Sequence, residues 1–242
     1  MNKNFWDKVQ FQMEFTFYTS SLVIICLLVS LFFSCLYFRR TKLNYLITLY
    51  LLAGALLFTF TDIIIHVYDF SSKINRTIFF EGLNVLFETA EFAFFYNFFQ
   101  SILKSQRTRF LLKIFLIVFS GLIINFILSS FFSNPLLNII RSHSTYVSSV
   151  SFLVILIGSL TYFYEILNDN STLNLLRRPT FWISTGSLFY AAYSLPVFFI
   201  IEIFRDRKTG IFNYLAAGHY ILLSLFCVTL IISFRCKKAL TI

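Results

Sequence analysis

Long apolar stretches joined by short polar connections are the feature that most constrains this chain. A membrane-spanning helix needs about 20 mainly apolar residues to cross roughly 30 Å of hydrocarbon. Seven stretches meet this requirement, at approximately 15–38, 43–66, 79–103, 110–132, 146–167, 181–204 and 211–234. The sequence therefore predicts an all-α polytopic membrane protein, in which residues 1–242 form a single transmembrane domain built as a seven-transmembrane-helix bundle.

The composition agrees with a chain whose solvent is lipid. Hydrophobic residues make up 58% of it and charged residues 13%, whereas soluble proteins contain about 25% charged residues. Phe occurs 34 times and Gly 7 times, which predicts that the helices pack by interleaving aromatic rings more than by close glycine contacts. The first apolar stretch is too long for a signal-peptide core, so we expect it to remain as the first helix.

The basic residues predict orientation and argue against a nucleic-acid partner. The net charge is +9, but the lysines and arginines form short clusters between apolar stretches instead of one continuous patch. The first, third and fifth connections and the C-terminal tail carry twelve of them, and the opposite side carries eight. Since basic residues favour the cytoplasmic side, we expect the N-terminus outside and the C-terminus in the cytoplasm. The lipid bilayer is the first predicted partner.

The third apolar stretch is unusual because it carries carboxylates. Glu81, Asn84, Glu88 and Glu91 follow one another at spacings of 3, 4 and 3, which places them on a helix stripe about 80° wide. An ionisable group deep in a bilayer costs on the order of 2.5–3.5 kcal/mol. Glu81 is expected to be interfacial, at the positive end of its helix. Glu88 and Glu91 are expected to serve a pocket, a proton path or an interhelical lock, with structural hydrogen bonding as the alternative.

Other helices offer polar partners for that stripe. Asp62 and His66 lie one turn apart near the outer end of the second helix. At a rise of about 1.5 Å per residue, His219 lies about 12 Å and Glu88 about 13 Å from the outer ends of their helices. The sixth helix contains Pro196, which predicts a kink that can widen a pocket. The predicted outward-facing intramembrane polar cluster comprises Asp62, Asn84, Glu88, Glu91, Tyr190, Tyr193 and His219.

Three sharper functional classes can be compared with these residues. A retinal protein needs a lysine in its last helix, and none lies between Ile211 and Phe234. A metal-dependent membrane lipid hydrolase remains an alternative, with zinc on the weak candidates His66, Asp62, Glu88 and His219. A proton-coupled small-solute carrier would use the buried acids, but the chain shows no internal repeat of the kind many carriers have. No catalytic residue and no cofactor are otherwise predicted.

The segment 178–186, which reads RPTFWISTG and leads to Tyr190, carries a resemblance together with the acid-bearing third helix and the basic tail. It resembles a group of small uncharacterised seven-helix integral membrane proteins of Bacteroidetes, some of which are encoded beside sensor histidine kinases. The resemblance implies the bacterial inner membrane and a sensory or signalling-accessory role. The implied partner is a membrane sensor kinase or another membrane protein.

The leading hypothesis is thus a non-enzymatic membrane sensor, in which the kinked sixth helix transmits occupancy of the polar cluster inward. The basic segments 104–109 and 235–238 would dock the partner. Anionic lipid headgroups are the alternative ligand of those segments, and we favour them over a protein there.

Overall fold

The computed structural model describes residues 21–36, 42–67, 73–132, 136–168, 175–203 and 211–236, and within these ranges every regular element is a helix. Seven α-helices and one short 3-10 helix, Leu175–Arg177, make up this part of the chain, which contains no β-strand. The α-helices are α1 (Ser21–Leu36), α2 (Lys42–Val67), α3 (Lys73–Ile102), α4 (Gln106–Phe132), α5 (Leu136–Leu167), α6 (Pro179–Ile203) and α7 (Ile211–Arg235). The predicted all-α fold is confirmed.

Five of these helices, α2 and α4 to α7, contain segments long and apolar enough to cross a membrane. Their outer faces carry large apolar side chains such as Ile117, which is 72% exposed, and Phe189, which is 65% exposed. Soluble proteins rarely expose contiguous apolar patches of this kind, whereas a helix surface that faces lipid is apolar. The chain is therefore a multi-pass helical membrane protein.

The helices form a ring that closes between its first and last members. Along the ring α2 packs on α3, α3 on α5, α5 on α6 and α6 on α7, while α4 lies against α5. The Ser30 hydroxyl of α1 donates a hydrogen bond of 3.2 Å to the Cys227 carbonyl of α7, and Ser34 of α1 bonds to Thr48 of α2. The ring of Phe95 in α3 also lies 5.4 Å from that of Phe226 in α7. Because α3 has neighbours on several sides, part of its surface is enclosed by the bundle.

The helix bounds differ from the predicted ones mainly at two N-terminal ends. Helices α3 and α5 begin at Lys73 and Leu136 instead of at residues 79 and 146. Hydropathy marks the part of a helix that crosses hydrocarbon, but the backbone can continue as a helix beyond it since its hydrogen bonds are internal. The other bounds that the structure describes agree with the sequence to within a few residues.

Aromatic rings and two glycines set the approach of the helices. Helix α3 buries a run of phenylalanines that includes Phe95 and Phe99, as the phenylalanine-rich composition predicts. Gly158 of α5 lies directly against the Phe99 ring, where an added Cβ would meet Cγ at 2.5 Å. Gly186 of α6 lies in the same way against Phe226, at 3.0 Å. Close glycine contacts therefore matter more at these two interfaces than the sequence indicates.

Candidate functional site

Two glutamates of α3 lie buried in the middle of the bundle. Glu88 is 7% exposed and Glu91 is 0% exposed. The Ser148 hydroxyl of α5 donates a hydrogen bond of 2.9 Å to Glu88 Oε1. The Tyr50 hydroxyl of α2 donates one of 3.4 Å to Glu91 Oε1. The second oxygen of each carboxyl, Oε2, is buried without a hydrogen-bond partner, so each carboxyl has one unused site in a medium where unpaired polar atoms are costly.

Tyr190 of α6 completes the surroundings of Glu91. Its side chain is 1% exposed, and its hydroxyl lies beside the Glu91 carboxyl without forming a hydrogen bond of good geometry. The Tyr190 ring stacks on Phe226 with centroids 6.1 Å apart, which fixes its direction. The carboxyl of Glu91 therefore lies near two phenol groups, one from α2 and one from α6. Each phenol can donate a hydrogen bond to the carboxyl or accept one from it.

The cluster continues from Tyr190 to His219 of α7. The two rings lie 5.3 Å apart between centroids, and His219 Nδ1 shares a hydrogen bond of 2.8 Å with the Ser194 hydroxyl of α6. Phe152 of α5 packs on the same imidazole at 6.0 Å. Pro196 lies two residues after Ser194, inside α6, where a proline removes one backbone hydrogen bond. The cluster thus extends to the part of α6 where Pro196 removes a backbone hydrogen bond of the helix.

The electrostatic surroundings of the two glutamates contain no described cation. The groups that act on Glu88 and Glu91 are each other, Ser148 and the two tyrosines. Glu88 and Glu91 lie one helical turn apart on α3 and interact electrostatically. Two neighbouring buried carboxylates repel each other when both are ionised. The arrangement therefore favours a proton or another positive charge between them, and the chemistry that it can perform is binding and exchange of that charge.

The structure brings together four of the residues that the sequence predicts: Glu88, Glu91, Tyr190 and His219. Tyr193 lies one turn along α6 and donates instead to the Leu215 carbonyl of α7, at 3.4 Å. Asn84 is exposed and lies one turn closer to the N-terminal end of α3 than Glu88. The structure therefore does not bring it together with the buried residues of the cluster, although it has a similar angular position on the helix.

Three residues that the sequence analysis singles out have side chains outside the described part of the structure. Asp62 and His66 belong to α2, and Glu81 to α3, but their side chains are not described. Among the side chains that are described, no group of three His, Cys, Asp or Glu lies close enough to hold a metal ion. The zinc hypothesis thus gains no support from Glu88 and His219.

Sequence reasoning missed Tyr50 and Ser148. Tyr50 lies on the buried stripe of α2 with Ile47 and Leu51. A tyrosine at such a position can serve as an apolar core residue, so its sequence pattern does not indicate a polar role. Ser148 belongs to a run of buried hydroxyl residues at the start of the described side chains of α5, with Thr145 and Ser149. Repeated hydroxyls on one face of an apolar helix are the signal that points to a polar neighbour.

Comparison of the chain with protein families, with curated proteins and with solved structures finds no match.

Proposed function

We propose that the chain is a non-enzymatic membrane sensor or signalling-accessory protein that registers its stimulus at the cluster of Glu88, Glu91, Tyr190 and His219. The observation that supports this is the buried carboxyl pair with one unpartnered oxygen on each member. Helices α2, α3, α5, α6 and α7 all contribute side chains to this cluster or its walls. A change of charge at the pair therefore alters contacts in five helices at once.

The proposal includes seven membrane spans in the bacterial inner membrane, with the N-terminus outside. Two observations support adding α1 and α3 to the five apolar spans. Helix α1 is hydrogen-bonded to α7 through Ser30, and α3 packs against α2 and α5. The larger number of lysines and arginines in the odd-numbered connections and the tail supports the orientation.

Helix α6 offers a route from the cluster to the opposite end of the bundle. It carries Tyr190 in the cluster and Trp182 two turns earlier. The Trp182 indole donates a hydrogen bond of 2.8 Å to the Leu176 carbonyl of the 3-10 helix. The Cys236 thiol, just after α7, reaches the same carbonyl at 3.7 Å. A movement of α6 at Tyr190 thus changes a contact at the end that we assign to the cytoplasm, where a membrane kinase or another membrane protein would read it.

Trp182 makes the proposal testable, because the chain has two tryptophans and Trp6→Phe leaves Trp182 as the single reporter. We expect its fluorescence in nanodiscs to change when pH, small cations or small anions are varied one at a time. Glu91→Gln should abolish the change. Asn97→Ala is the matched control, since Asn97 is exposed on α3 and bonds the Ala93 carbonyl of its own helix. A Trp182 signal that stays constant under every stimulus would overturn the sensor proposal.

A proton-coupled small-solute carrier is the second candidate, and one observation favours it. Along the α3 stripe, exposure falls from Asn84 to Glu88 and then to Glu91, which resembles an access route to a buried acid. In liposomes a carrier would show solute-driven proton movement that Glu91→Gln abolishes. Movement that persists in this variant, or is missing from the unaltered protein, removes the carrier.

A further inference from the structure

We infer that Glu88 and Glu91 share one exchangeable proton, and that this proton is the stimulus of the sensor. The inference rests on the proposed function and specifies the ligand of the same site. It follows from the packing of the site, the unused polar atoms in it, the surrounding charges and the direction of access.

The site is enclosed by tightly packed side chains. Around Glu91, Tyr50 is 3% exposed and Tyr190 is 1% exposed, while Phe95 and Phe226 are fully buried. Tyr50 also stacks on Phe94 with centroids 4.7 Å apart. A molecular ligand would have to displace these rings, whereas a proton needs no volume of its own. The walls of the site therefore favour the proton over a larger solute.

The unused polar atoms fit a proton as the ligand. The Tyr190 hydroxyl lies beside the Glu91 carboxyl, and neither this hydroxyl nor Glu91 Oε2 has a hydrogen-bond partner of good geometry. With the proton on Glu91, the carboxyl can donate to the Tyr190 oxygen. Without it, the carboxylate can only accept, and the Tyr190 hydroxyl becomes the donor. Proton exchange thus reverses the direction of a hydrogen bond between α3 and α6, and this reversal is how occupancy reaches α6.

The surrounding groups explain why one proton would be retained. On α3 the Glu88 carboxyl acts electrostatically on that of Glu91, and no lysine or arginine in the described part of the structure acts on either of them. Helix α5 presents the Ser148 hydroxyl and α4 presents the Phe119 ring, stacked on Phe92. The remaining titratable groups that the structure places nearby are Tyr50 of α2, Cys26 of α1, Tyr190 of α6, and Cys227 and His219 of α7. None of these is a permanent cation, so a proton is what relieves the repulsion between the carboxyls.

The exposure of the α3 stripe gives the direction of access. Asn84 is exposed, Glu88 is nearly buried and Glu91 is fully buried. At Gly82, beside Asn84, an added Cβ would meet nothing within 4 Å. Exposure along the described part of the stripe thus decreases from its N-terminal end, at Asn84, towards Glu91. In the proposed orientation this end faces outside, so the site would sample protons from the external side.

Infrared difference spectroscopy of the full chain in nanodiscs tests the inference, because a protonated carboxyl has a carbonyl stretch that a carboxylate lacks. We expect this band to remain at a pH where exposed carboxyls are already ionised, and to be lost, by one proton per chain, as the pH rises further. The double variant Glu88→Gln with Glu91→Gln should lack the band. Glu165→Gln should retain it, since Glu165 lies at the end of α5 and accepts backbone N–H groups there. A band that survives in the double variant, or no band in the unaltered protein, overturns the inference.

Tyr190→Phe provides a second test that tolerates poor folding of the double variant. Removing the phenol leaves the proton in place but takes away its hydrogen-bond acceptor, so the carbonyl band should shift to higher frequency. A band that does not move means that the protonated group is not beside Tyr190, and the inference fails. A proton band without any Trp182 response would leave the site standing and remove the sensor function. A Trp182 response to a solute, without a proton band, would leave the sensor function standing and remove the proton site.

Discussion

The rings of Tyr190 and His219 lie 5.3 Å apart, and each carries its polar atom toward a different helix. The Tyr190 hydroxyl faces Glu91 of α3, while His219 Nδ1 bonds to Ser194 of α6. One aromatic contact therefore connects the acid-bearing helix with the segment of α6 that precedes Pro196. Under the proposed function, a change at the carboxyl pair would reach this segment of α6 through that contact.

The two tyrosines of the cluster should differ in their contribution to stability. The Tyr190 hydroxyl lies beside Glu91 without a hydrogen bond of good geometry, so Tyr190→Phe should cost less than about 0.5 kcal/mol. Tyr50 bonds to Glu91, and because the bond is long, Tyr50→Phe should cost about 0.5–1 kcal/mol. Thermal unfolding in detergent measures both. Tyr190→Phe should nevertheless lose the Trp182 response.

A larger loss of stability in Tyr190→Phe than in Tyr50→Phe would contradict this order. It would mean that the Tyr190 hydroxyl is already firmly bonded to Glu91.

The hydrogen bond between Ser148 and Glu88 should couple α5 to α3. Interhelical hydrogen bonds within membranes contribute about 0.6 kcal/mol on average and up to about 1.7 kcal/mol, and this bond has a length of 2.9 Å. A double-mutant cycle of Ser148→Ala and Glu88→Gln, followed by thermal unfolding in detergent, should give a coupling energy of about 1 kcal/mol. The value measures the contact itself, because the cycle cancels the separate effect of each substitution.

Ser149→Ala is the control for that cycle. Ser149 is also buried, but its hydroxyl donates to the Thr145 carbonyl of its own helix. Its coupling to Glu88→Gln should be near zero, and equal coupling for both serines would exclude a specific contact between Ser148 and Glu88.

The fold could be predicted from the sequence because lipid leaves few choices. A backbone in hydrocarbon must satisfy its own hydrogen bonds, so apolar stretches of sufficient length become helices. The burial of Glu88 and Glu91 follows in the same way from their shared stripe. Asn84 has a similar angular position and is exposed, because burial also depends on which neighbouring helices cover that part of the stripe.

The partners of the glutamates could not be predicted, since they depend on the order of the helices in space. The contact between Tyr50 and Glu91 joins residues 41 positions apart, and that between Ser148 and Glu88 joins residues 60 apart. No periodicity within a single helix carries such information. His219 was identified by its depth in α7, but its link to Glu91 passes through Tyr190, and that contact follows from the packing of α6 between α5 and α7.

The contact of Gly158 with Phe99 should be sensitive to a single methyl group. A Cβ at this position would lie 2.5 Å from Cγ of the Phe99 ring, and both residues are buried where α5 packs on α3. Overpacking of this kind costs about 1–3 kcal/mol. Gly158→Ala should therefore lower the unfolding temperature in detergent, although alanine is the better helix former.

Gly121→Ala is the matched control, since a Cβ there would meet nothing within 4 Å. It lies in α4, where the gain in helix propensity should leave stability unchanged or raise it by up to about 1 kcal/mol. Equal effects of the two substitutions would show that the α3–α5 approach is looser than described.

Glu165 should hold the connection between α3 and α4 closed. Its carboxylate accepts the backbone N–H groups of Lys104, at 2.9 Å, and of Ser105, at 2.7 Å. Because the site is partly exposed, Glu165→Ala should cost about 1 kcal/mol. Trypsin cleavage after Lys104, Arg107 or Arg109 in inside-out vesicles should then accelerate about fivefold, since cleavage follows the open population. Glu165→Gln keeps one acceptor oxygen, so its cleavage rate should lie between that of the unaltered protein and that of Glu165→Ala.

The same digestion tests the proposed orientation, because the basic segment 104–109 would face the cytoplasm. Right-side-out vesicles should protect this segment in the unaltered protein and in both Glu165 variants. Cleavage in right-side-out vesicles at the rate found in inside-out vesicles would invert the assigned topology. It would also place the exposed Asn84 end of the α3 stripe on the cytoplasmic side, so that the carboxyl pair would sample cytoplasmic protons instead of external ones.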